Sequence, residues 1–99
     1  MLPARKRLAA AEVREILKSG KTLRVGYLLL KYCPARAGAA AVVVSKKVAK
    51  SAVTRNRIRR SIYRELARAF PATTHIVVLV QKNVPEYSAD IETICLKLS

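Results

Sequence analysis

Two short apolar runs, "AAAVVVS" at 39–45 and "HIVVLVQK" at 75–82, bracket a stretch from Ser51 to Phe70 that holds neither glycine nor proline. Each run has the length and branched-chain content of a strand buried on both faces. The stretch between them repeats at helical spacing instead. Ile58, Ile62, Leu66 and Ala69 fall on one stripe when residues are placed at about 100° intervals. Strand, helix and strand in that order suggest a βαβ unit, which allows the two strands to be parallel.

The rest of the chain fits around this unit. Residues 9–19 place Val13, Ile16 and Leu17 at i, i+3 and i+4, with Glu12 and Glu15 early and Gly20 as a stop. Residues 22–33 are rich in strand formers, and Gly26 marks either a bulge or a break into two strands. Pro34 to Gly38 read as a turn. Residues 88–98 predict a last helix, with Ser88 as its N-cap, Asp90 in its first turn, and Ile91, Ile94, Cys95 and Leu98 on one face. The expected fold class is α+β, a small α-β sandwich with three helices on a sheet of about four strands. Residues 1–99 are expected to form a single domain.

Composition removes several classes. The apolar fraction is 52%, too high for a disordered basic tail. No apolar run is long enough to predict a membrane span, and the "MLPARKRL" opening lacks the apolar segment of a secretory signal. Cys33 and Cys95 are the only cysteines and His75 the only histidine. That inventory predicts no zinc site, two buried thiols and a reducing compartment, the cytoplasm.

Charge is the strongest functional signal. The net charge is +14, and Glu65 is the one acid between Ile16 and Pro85. Such a field favours a polyanion, either nucleic acid or an anionic membrane surface. Six arginines and no lysine stand between 55 and 68. Arg57, Arg60, Arg64 and Arg68 lie roughly 200–280° around the helix from Ile58, on one outward face. Asn56 is at the edge of that face, and Arg55 and Arg59 flank the apolar stripe. Lys46, Lys47 and Lys50 precede the helix, whose N-terminus carries free backbone donors suited to phosphate. Either Ser51 or Thr54 caps it. A solvated face normally mixes signs for i,i+4 support. Arginine's planar fork instead grips phosphate oxygens in pairs and stacks on bases. With no helix-turn-helix and few aromatics, a structured RNA recognised through its backbone and shape is the best match.

The run Arg55-Asn56-Arg57, followed by Ile58-Arg59-Arg60 and Arg64-Glu65, resembles the signature of the bacterial ribonuclease P protein component. "VSKK" at Val44 to Lys47 and Arg7-Leu8 ahead of the first helix are similar to that family too. The resemblance covers nearly the whole chain. It implies a left-handed βαβ crossover, against the general right-handed rule. It also implies a protein that binds a catalytic RNA and the 5′ leader of precursor tRNA, assisting removal of that leader. Hydrolysis would belong to the RNA, with Mg²⁺ held in the RNA-containing holoenzyme, no cofactor on the protein, and one protein per RNA.

Carried over by position, the RNA-subunit contacts are Lys46, Lys47, Lys50, Arg55, Asn56, Arg57, Arg59, Arg60, Arg64 and Arg68. Asn56 has a second reading, as a structural side chain that bonds the crossover backbone. The leader cleft carries over to Val13, Leu17 and Lys31, where the family typically has aromatic residues. Arg5, Lys6, Arg7 and Arg24 add charge there. Tyr27 or Tyr32 is the candidate substitute ring, and strand alternation predicts Tyr27 beside Lys31 with Tyr32 opposite. Ala49 stands where the family often has glycine.

Two other functions fit less of the sequence. A ribosomal or other structural RNA-binding protein would share the charge but not the motif order. A nuclease acting alone would need a catalytic group, yet His75 opens a buried strand. Glu12 with Glu15, and Asp90 with Glu92, read as first-turn helix acids.

Overall fold

The computed structural model describes residues 8–36, 38–68, 73–84 and 87–98. In chain order they form α1 (Ala10–Ser19), β1 (Lys21–Val25), β2 (Leu28–Pro34), β3 (Ala40–Val43), α2 (Ala52–Arg68), β4 (Thr74–Val80) and α3 (Ser88–Leu98). The strands make one mixed sheet in the order β1-β2-β4-β3. β1 with β2 and β2 with β4 are antiparallel, and β3 runs parallel to β4. The two apolar runs are therefore adjacent parallel strands, joined through α2.

Gly26 breaks its segment into two strands rather than bulging one. Its φ of 55° lies in the left-handed region, which glycine enters without the steric cost a side chain meets. The turn is held from α3. The Asp90 carboxylate accepts the Tyr27 N–H at 3.3 Å, and a Cβ on Gly26 would collide with that carboxylate. Asp90 thus does more than complement a helix dipole. Ser88, expected as the α3 N-cap, is its first helical residue, and the Tyr87 carbonyl accepts the Ile91 N–H at 3.0 Å. Pro34, expected in a turn, closes β2 opposite Thr74.

Alternation gives the sheet two unequal faces. Leu28, Leu30, Ala40, Val42, Ile76, Val78 and Val80 point to one side, where Ile58, Ile62 and Leu66 of α2 and Ile91, Ile94 and Cys95 of α3 complete the main core. Ala49 sits in this core, so its methyl fills space that glycine would leave. Burial pushes the Cys95 thiol above its ordinary pKa. On the other face α1 lies against β2 and β4, and Ile16, Val77 and Ala41 are buried. One helix covers only part of that face. Leu29, Lys31 and Leu79 are half-buried and Val43 is exposed.

Two measurements check this packing. Gly26→Ala should lower the stability measured in urea by about 1–3 kcal/mol with an unchanged m-value. A thiol reagent should label half-buried Cys33 in the native chain, and Cys95 only on unfolding. Because the folded-state pKa of Cys95 is raised, its contribution to stability is full below the ordinary thiol pKa and is lost as pH rises through the raised value.

Candidate nucleic-acid interface

α2 is fixed on three sides. Ser51 caps it, its hydroxyl accepting the Thr54 N–H at 3.5 Å and its carbonyl the Arg55 N–H at 3.0 Å. Ile58, Ile62 and Leu66 are buried against the sheet. The Tyr63 hydroxyl accepts the Val42 N–H at 3.3 Å, satisfying a donor on edge strand β3 that no strand pairs. Tyr63 is therefore used in the frame of the domain.

The basic residues then divide into two sets. The Arg55 guanidinium donates to the carbonyls of Ala49 at 3.0 Å and Lys50 at 2.8 Å. It ties the helix to the crossover turn, the job considered above for Asn56. The Asn56 carbonyl oxygen instead accepts a hydrogen bond from Arg59, which aims that guanidinium along the helix. Arg57, Arg60 and Arg64 are exposed, and no described acid pairs with them. Arg68 reaches Glu65 at 3.6 Å, with the Arg68 side chain 75% exposed, a geometry worth little in water. Lys46, Lys47 and Lys50 are exposed in the turn before α2. The ten residues carried over to this surface thus lie on one helix and the turn that feeds it, with Arg55 turned inward.

A groove of about 700 Å³ runs along this face. Arg57, Arg60, Ser61 and Arg64 form one wall, and Asn83 and Val84 from the loop after β4 form the other, over Ile58 and Tyr87. The Tyr87 hydroxyl donates to the Lys82 carbonyl at 2.6 Å and accepts the Val84 N–H at 3.3 Å. Its ring is buried. The reading of the sequence missed this loop, because Asn83 is uncharged and Tyr87 looks like a core residue ahead of a helix.

The residues expected at the cleft do not all meet. Val13 and Leu17 are half-buried on α1. Lys31 and Arg24 point to the α1 side of the sheet by their register, paired with Thr22 and Leu29. The Lys31 ammonium donates to the Thr22 hydroxyl at 2.6 Å. Tyr27 stands elsewhere, in the β1–β2 turn rather than in β2, so strand alternation does not apply to it. Its carbonyl accepts the Gln81 N–H at 2.9 Å, and the Lys82 ammonium lies 5.2 Å from its ring centre. Tyr32 is in register with Lys21 and Ile76, on the face opposite Lys31. Arg5, Lys6 and Arg7 lie outside the described residues. Glu12, Glu15, Cys33 and His75 line a smaller pocket of about 330 Å³ beside α1. Among the described residues no three such side chains are grouped to hold a metal, and no helix is long and apolar enough to cross a membrane.

A helix held by its apolar stripe, with a ladder of exposed arginines that no described acid pairs, defines a small basic α+β domain built to engage a polyanion. The chain matches the Ribonuclease P family over residues 2–97, and it belongs to that family, the protein subunit of the endoribonuclease that processes tRNA 5′ ends. Its fold is similar to a Staphylococcus aureus RNase P protein mutant with defective mRNA degradation activity, with a TM-score of 0.69 and 21% identity over 95% of this chain and 79% of that one. It is also similar to the RNase P protein from Thermotoga maritima, with a TM-score of 0.67 and 24% identity over 93% of this chain and 90% of that one. No curated protein matches it significantly.

The two arginine sets should separate by mutation. Arg55→Ala removes two charge-assisted bonds at the crossover and should cost about 1.5 kcal/mol or more in chemical denaturation. Arg57→Ala with Arg60→Ala should stay within about 0.5 kcal/mol of the parent chain.

Proposed function

We propose that the α2 face docks the chain on the RNA subunit of ribonuclease P, while the α1 side of the sheet receives the 5′ leader of precursor tRNA. The observation that carries this reading is the set Arg57, Arg60 and Arg64, exposed and without described acidic partners, in a chain of this family. Guanidinium groups placed there displace counterions from a phosphate backbone, which contributes affinity without base contacts. Lys46, Lys47 and Lys50 extend the same field around the N-terminus of α2. On the α1 side, Lys31 and Arg24 supply charge beside half-buried Leu29, Val13 and Leu17. Aliphatic contact and phosphate attraction would hold a leader there, with no ring described at those positions for stacking.

In this reading the chain acts by binding, as one RNA-binding domain over residues 1–99, with one protein per RNA in the cytoplasm. Two polyanions, the RNA subunit and precursor tRNA, repel each other, and a chain of net charge +14 screens that repulsion. Hydrolysis is assigned to the RNA, with Mg²⁺ held mainly by RNA oxygens. Hard divalent cations prefer such ligands.

Reconstitution tests the proposal. Purified chain added to the RNA subunit from the same source should stimulate precursor-tRNA cleavage at low Mg²⁺, and the chain without RNA should not cleave. An RNA subunit that is neither bound nor stimulated would overturn the reading. In the same system, Arg57→Ala with Arg60→Ala should reduce the slope of log affinity against log salt by about 1.4–2.

A further inference from the structure

We propose that the groove between α2 and the loop after β4 is a seat for one unpaired nucleotide of the RNA that α2 docks on, which extends the reading above from phosphate attraction to a defined ligand. A surface that only attracts a duplex backbone needs cations and no cavity. This one has three chemically distinct parts. Arg57, Arg60 and Arg64 form one wall, rising about 4.5 Å and then 6 Å along the helix axis. The spacing lets them follow successive groups of one strand. The apolar part of the groove is narrower, half-buried Val84 on the facing wall with Ile58 and the Tyr87 ring almost wholly buried beneath it. An unstacked base can lay a face against Val84 there, whereas the faces of a paired base are taken up by its stack.

The third part is Asn83. It lines the groove and is exposed, and its amide has no hydrogen-bond partner among the described residues. An amide presents a donor and an acceptor side by side, the pattern that matches a base edge and that a phosphate, an acceptor only, uses by half. The wall that carries it is set before any ligand arrives. Tyr87 holds the Lys82–Val84 segment through its bonds to the Lys82 carbonyl and the Val84 N–H, which lowers the cost of ordering that segment on binding. An acidic peptide would satisfy the arginines but would leave both Val84 and the amide fork unused.

The test uses the full chain with a short fluorescent unpaired RNA oligonucleotide, the same strand annealed into a duplex, and an acidic peptide as competitor. The unpaired strand should bind more tightly than the duplex. Asn83→Ala should weaken the unpaired strand by about fivefold, with no change for the duplex and no change in salt slope, because no charge is removed. Tyr87→Phe, which keeps the ring and drops the hydroxyl tie, should narrow the preference for the unpaired strand. If it fails to fold, Asn83→Ala still decides the matter, since the Asn83 side chain makes no hydrogen bond to a described residue. Equal affinity for strand and duplex, a silent Asn83→Ala, or displacement of RNA by the peptide at matched charge would overturn the proposal. Stimulated cleavage with a silent Asn83→Ala removes the groove and keeps the proposed function. An Asn83 effect without stimulation does the reverse.

Discussion

Everything this domain presents to a partner depends on the burial of Ile58, Ile62 and Leu66. All three are at most 3% exposed. Burying each contributes roughly 1.5–3 kcal/mol. Against that stands the repulsion among the arginines on the opposite face. Two unit charges about 6 Å apart in water repel by roughly 0.7 kcal/mol, and salt screens this further. The anchor wins by a wide margin, so the helix can carry charge that acidic neighbours would otherwise neutralise. Glu65, the one acid on α2, reaches only Arg68, and no described acid pairs with the middle of the ladder.

The crossover supplies what burial alone does not, a fixed direction for that ladder. β3 and β4 are parallel neighbours, so the chain must leave one edge of the sheet, pass over its face and return. α2 makes that passage with its start and its middle tied. Ser51 and Arg55 lock its start to the turn that contains Ala49 and Lys50. Tyr63 reaches the backbone of β3 further along. A guanidinium used in this way has one nitrogen committed to the protein backbone, and the sequence pattern alone does not separate Arg55 from Arg57. Both lie in the same run with the same side chain, and only the position of the turn carbonyls distinguishes them.

Much of the fold could be read before any coordinates. The strands at 40–43 and 74–80 are legible as short apolar runs. Ile58, Ile62 and Leu66 of α2, Ile16 of α1 and Ile91, Ile94 and Cys95 of α3 follow from periodicity, since a buried face repeats at the period of its element. Ala69 and the Leu98 side chain lie outside the described residues. The helix wheel also separated the outward arginines from the buried stripe. Other features depended on long-range geometry. Asp90 looks like a first-turn acid, and nothing local says that its carboxylate closes a turn 63 residues earlier. Tyr27 looks like a strand residue until Gly26 takes a positive φ and sends the chain back. Asn83 carries no charge and belongs to no period, so neither signal that finds the arginines finds it.

The two faces of the sheet are built for different kinds of contact, and the difference follows from how each is covered. Two helices close the α2–α3 face completely, so any binding there must use the outer surface of a rigid layer. That surface is mainly polar and cationic, with Val53 and Leu96 its exposed large apolar side chains among the described residues. A single helix leaves the other face partly open. Leu29, Leu79 and Val43 remain accessible beside Lys31, whose ammonium is steadied by Thr22. An apolar strip with one positioned cation suits an extended strand of few internal contacts, while the arginine ladder suits a folded RNA with a defined backbone. In the proposed reading the two nucleic-acid segments would lie on separate surfaces, and the sheet between them would set their separation.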